Sequence, residues 1–225
     1  ATGRALGWTL LAAAPGSTAL WLLGVLLQSA GTPGRYSDSL GRACTILVLP
    51  LFTVQLLRWT VMERGLAHAH FRWPRSRREA LRKSLPTAAA IVLPMYFIAI
   101  LAFIRNLDLP NDVQARAAIV IACVALGATF WALLAAGKAW VIRGNTTEPS
   151  MTRKLLRVML PAGTLLIAFL ALAGYVYSAG LLVQALLQTI SMIVAISLAM
   201  GLLGRWILLG ERRLSEIERV TGEFL

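Results

Sequence analysis

The stretch VMLPAGTLLIAFLALAGYVYSAGLLVQALLQTISMIVAISLAMGLLG, Val158 to Gly204, decides the fold class. It holds 47 residues without one charged side chain, between Arg157 and Arg205. As a single helix rising about 1.5 Å per residue it would be roughly 70 Å long, against a hydrocarbon core of about 30 Å. It therefore has to cross a bilayer twice. The place to turn is Gly174-Tyr-Val-Tyr-Ser-Ala-Gly180, where glycines bracket two tyrosines. A tyrosine at headgroup depth keeps its ring in the apolar layer and its hydroxyl in water.

Outward from this hairpin the pattern repeats. Uncharged or nearly uncharged runs cover residues 8–30, 43–62, 85–104 and 117–142, and the hairpin supplies two more over 158–177 and 181–209. The expectation is an all-α, polytopic membrane domain of about six transmembrane helices over residues 1–210. Pro15 should kink the first span or split off a short interfacial piece. Pro50, Pro94 and Pro161 bend others. Residues 211–225 change character: Leu214, Ile217 and Phe224 form a sparse stripe among four acids and three bases, as in an amphipathic linker helix leaving the membrane.

Composition excludes the soluble classes. Charged residues make up only 14% of the chain and hydrophobic residues 58%, whereas a soluble domain carries about a quarter charged. The net charge of +12 does not indicate nucleic acid, because the bases lie in short loops between spans. Of the 22 Lys and Arg residues, 18 fall at the N-terminus, in the loops after spans two and four, and in the tail, and four fall elsewhere. The positive-inside rule then puts both ends in the cytoplasm, as an even span count requires. The chain begins Ala-Thr-Gly and ends within a helical pattern, so it reads as a piece of a longer polypeptide.

Chemistry-bearing residues are sparse. No span carries Asp, Glu or Lys at its centre, and no nucleophile–base pair, paired carboxylates, phosphate loop or HExxH is present. That argues against an enzyme, a pump or a proton-coupled transporter, and no catalytic residue, metal or cofactor is assigned. His68-Ala-His70 lacks a third ligand and sits among cations. Cys44 and Cys123, each alone in a span, read as packing residues. The basic loop is the first candidate contact: Arg72, Arg75, Arg77, Arg78, Arg82 and Lys83 beside Phe71 and Trp73 suit anionic lipid headgroups. Ala128, Ala132 and Ala136, at i, i+4, i+8, form a small-residue stripe for a neighbouring helix. Gln184 and Gln188, with Ser191 close to the same face, read as interhelical hydrogen-bonding residues.

Three stretches carry a family resemblance. HFRWPR (His70–Arg75), heading a basic run, is similar to the cytosolic loop of large MscS-like mechanosensitive channels of the MscK and MscM type. LPAGTLLIAFLALAGYVYSAG (Leu160–Gly180) resembles their Leu-Pro-led span and Gly-Tyr-x-Tyr turn, and RWILLGERRLSEIER (Arg205–Arg219) looks like the exit of the same inner-membrane domain. The resemblance implies a bacterial inner-membrane channel that assembles as a homo-heptamer, contacts membrane lipids and opens under tension to release ions and osmolytes in hypoosmotic shock. It further implies a preceding periplasmic region with one more span, and a following pore helix and cytosolic vestibule. Pore, gating and selectivity residues lie outside this chain, which would be a peripheral, tension-sensing part. Two rival readings stay open on the residues alone. One is a membrane sensor, scaffold or lipid-binding domain of a receptor; the other is a transporter using uncharged polar groups.

Overall fold

A computed structural model describes residues 2–30, 36–62, 75–105, 113–135 and 151–222. The described residues form six helices: α1 (Thr2–Ala30), α2 (Tyr36–Val61), α3 (Arg75–Ile104), α4 (Val113–Ala135), α5 (Met151–Leu172) and α6 (Val176–Gly222). Five of them are long and apolar enough to cross a membrane. The exception is α5, whose apolar part is only Val158–Leu172. Fifteen residues rise roughly 22 Å, so the basic first turns of this helix have to complete its crossing.

The hairpin that decided the fold is tighter than its sequence suggests. The chain turns over Ala173–Tyr175, and α6 starts at Val176 rather than at 181. Gly174 takes φ +99°, a left-handed value open to glycine at little cost. Its N–H donates to the carbonyl of Ala171 (3.2 Å), and the Tyr175 N–H donates to that of Leu170 (3.0 Å). This pair of bonds is a Schellman C-cap, which satisfies carbonyls that the helix end would otherwise leave orphaned. Gly180 takes no part in the turn. It lies inside α6, where a Cβ would strike the Phe103 ring of α3. Phe103 in turn meets Tyr177 edge-on, with centroids 5.9 Å apart.

Pro15 does not divide the first span, because α1 is continuous from Thr2 to Ala30. Hydroxyls stand just after the prolines and bond back to carbonyls one turn earlier. Ser17 donates to Ala13 and Thr18 to Ala14, Thr53 follows Pro50 and donates to Leu49, and Thr164 donates to Pro161 itself. Such bonds are one way a membrane helix accommodates proline in its interior. The outer ends are longer than the apolar runs. The first turns of α2 carry Asp38 and Arg42, paired at 3.2 Å, and α3 begins ten residues before its apolar run. The helix of span six continues without a break through the charged tail to Gly222.

Successive helices pack on one another from α1 to α5. The first half of α6 closes against α2, α3, α4 and α5, whereas α1 rests mainly on α2. The packed faces are rich in small residues, with Ile100, Ile119, Val176 and Val183 among the larger side chains they bury. Alanines at 99, 102, 115, 118, 122, 168, 171 and 179 are buried, while Leu165, Leu166, Phe169, Leu172, Ile193 and Ile196 point outward. This inversion follows from the solvent. Lipid is as apolar as leucine, so burying large side chains brings little, and close backbone approach through small ones holds the bundle.

Candidate functional site

Two kinds of site emerge from this packing: interhelical seams and surfaces open to the bilayer. The α1–α2 seam is built on glycine. A Cβ on Gly41 would lie 2.6 Å from the carbonyl oxygen of Gly24, and one on Gly24 would lie 2.9 Å from that of Gly41. Neither position has room for a side chain. Ala13 and Ser17 continue the buried face of α1, and the Gln55 side chain covers Gly16. Gln28 crosses the seam to donate to the Thr45 hydroxyl at 3.0 Å. Gly127 of α4 likewise faces Thr164 of α5, and the Thr53 hydroxyl of α2 lies 3.0 Å from the Ser191 hydroxyl of α6, within hydrogen-bond distance.

Sequence reasoning did not single out Gly16, Gly24, Gly41 or Gly127. A signal was there: Ala13, Ser17 and Gly24 fall on one helical face at spacings of four and seven. The residues expected to pack lie as follows. Ala128 and Ala132 line an open groove of ≈ 450 Å³ between α3 and α4, and Ala136 lies outside the described residues. Gln184 lines a cavity between α2, α3, α4 and α6, whereas Gln188 is exposed on the outer face of α6. Cys44 and Cys123 are free and buried in helix contacts.

The basic candidates gather at the start of α3. Arg75 and Arg77 belong to its first turn, Arg82 and Lys83 are exposed, and Arg78 is half-buried. Among the described residues, the buried Nε of Arg78 has no hydrogen-bond partner. Lys83 also lines the α3–α4 groove, together with Ala80, Ser84, Thr87, Ala88, Ile91, Ala125 and Thr129. Arg72 and Trp73 lie outside the described residues, as do His68 and His70. Just past the opposite end of α3, the Arg105 guanidinium lies 5.0 Å from the Tyr36 ring centre, and Tyr175 and Tyr177 at the α5–α6 turn are exposed. Bases thus gather at the start of α3, and a base with tyrosines past its other end, the residue types found at membrane interfaces.

A family model described as the mechanosensitive ion channel inner membrane domain 1 matches residues 1–220. The chain belongs to this family. Its match covers all three stretches whose resemblance was noted, and all six helices bar the last two residues of α6. The domain is similar to the miniconductance mechanosensitive channel MscM of Escherichia coli (strain K12), with 28% identity over 218 residues. That alignment takes in 95% of this chain but 19% of the relative, so the chain spans about a fifth of the relative's length. No solved structure matches. The inner membrane domain is thus a multi-pass, all-helical membrane segment of a channel family, with small residues at its seams and large apolar ones toward lipid.

Proposed function

We propose that this domain is the peripheral, tension-sensing part of a mechanosensitive channel that opens under membrane tension to release ions and osmolytes during hypoosmotic shock. The observation that carries the reading is the family match over residues 1–220, supported by the similarity to a miniconductance mechanosensitive channel. Both ends of the domain are cytoplasmic, on the distribution of 18 bases against four. The assembly is a homo-heptamer in the bacterial inner membrane, without cofactor or catalysis. Gln188, exposed on an otherwise apolar face of α6, meets a polar partner on a further helix of the full protein.

The physical role follows from what the helices present to the bilayer. Tension favours whichever conformation occupies more membrane area. A protein responds only as far as its states differ in their interaction with the membrane. Large side chains such as Trp21, Leu26, Phe169 and Met200 couple these helices to bilayer thickness. Arg72, Trp73, Arg75, Arg77, Arg78, Arg82 and Lys83 hold anionic headgroups, at about 1 kcal/mol for each base near the surface. An acyl chain lies along Ala88, Ala128 and Ala132 in the groove below Lys83. The test is patch-clamp recording from liposomes holding the full-length protein. Currents that rise with applied tension are expected; saturable, substrate-dependent flux without tension would replace this reading with the transporter.

A further inference from the structure

A second cavity has a different character from the basic groove. It is a pocket of ≈ 200 Å³ between α2, α3, α4 and α6, open on one side, and its walls are mostly apolar: Ile46, Ala99, Ile100, Ala122 and Val183 are among them. Three side chains with polar groups also line it, the exposed Tyr177 and two that are more buried. Tyr96 is only 5% exposed, and Gln184 is half-buried. Among the described residues neither the Tyr96 hydroxyl nor the Gln184 amide makes a hydrogen bond, so both are left to the cavity. Tyr96 lies eight residues in from Ile104, and Gln184 eight residues in from Val176. Each therefore sits about 12 Å from its helix end. The two ends are neighbours, because Phe103 packs on Tyr177 and Gly180. At that depth bulk water does not reach polar groups, and an unpaired one carries its full desolvation penalty. Of its lining residues, Ile46, Tyr177 and Leu181 are exposed at the surface.

We propose that this cavity binds a small membrane-dissolved amphiphile, with an uncharged hydroxyl or carbonyl group on an apolar body of about six carbons. Size argues for that class: an apolar protein cavity of about 150 Å³ takes up benzene and stays dry. A lipid tail would fill the walls but leave Tyr96 and Gln184 unpaired. A lone water would find two partners where buried water ordinarily has about three. A hydroxyl or carbonyl on an apolar body satisfies both demands, donating to or accepting from Gln184 and accepting from Tyr96. Its occupancy braces four helices against one another.

The experiment is photolabelling of the full-length protein in liposomes with a diazirine derivative of hexanol, followed by peptide mass spectrometry. Saturable labelling of peptides containing Tyr96 or Gln184 is expected, with unlabelled hexanol competing about tenfold better than hexane at equal membrane concentration. Tyr96→Phe and Gln184→Leu keep the shape and remove the polar groups. Each should weaken hexanol competition about fivefold to tenfold and leave hexane unchanged. Ala99→Leu should block labelling by filling the space; if it does not fold, the two shape-conserving variants carry the test. Labelling that rises linearly with concentration, as on any lipid-exposed face, overturns the proposal. So does labelling unaltered by the polar substitutions, or a cavity that only water enters.

Discussion

At Gly41 the space for a side chain is closed by the backbone of Gly24 on the facing helix, and backbone cannot rotate away as a side chain can. Gly41→Leu should therefore destabilise the domain by about 1–3 kcal/mol, the usual range for overpacking, and open the α1–α2 seam. Detergent-solubilised melting and cysteine cross-linking between the two helices would register both effects. Gly163→Ala is the control: nothing lies within 4 Å of a Cβ there, so stability should hold or rise slightly. Gly174→Ala should cost about 1 kcal/mol or more, because φ +99° strains any residue with a Cβ. The sequence marks these glycines but not their roles. Gly174 and Gly180 look alike as brackets of a turn, and what separates them is Phe103, which occupies the space beside Gly180 from another helix. Such a partner cannot be read from local spacing.

Helices as elements were far more legible than the faces they bury. Six apolar runs gave six helices, since uncharged length is a direct consequence of bilayer thickness. Their ends shifted where charged turns stay helical, as in Arg75–Lys83 of α3 and the tail of α6. The choice of packing face on α4 shows the limit. Alanines occur all around this helix, so the Ala128 and Ala132 stripe and the Ala115, Ala118 and Ala122 stripe are equally plausible on paper. The neighbours α3, α5 and α6 take up the second, and the first lines an open groove. Two outcomes test the elements. Thr53→Val removes the hydroxyl bonded to Ser191, and the α2–α6 contact should weaken by about 0.6 kcal/mol, a typical membrane hydrogen bond. Replacing Arg75, Arg77, Arg82 and Lys83 by Gln should strip anionic lipid from the purified protein; unaltered co-purification would remove headgroup contact from the account.

The described residues form a bundle with small residues at its closest seams and many large ones turned to lipid, in a family of channel inner-membrane domains. Its place in that family was legible because the motifs of the loop, the hairpin and the exit helix stand in one order along the chain. On the proposed reading, the pore belongs to other parts of the full-length protein. The central claim is that these helices carry tension to that pore. The most direct measurement is the tension midpoint of the full-length channel in patched liposomes, with and without residues 8–209. Loss of the helices should raise the tension needed for opening, because lipid-facing area that favours the expanded state is gone. An unchanged midpoint, with the surrounding membrane keeping its shape, would contradict the account.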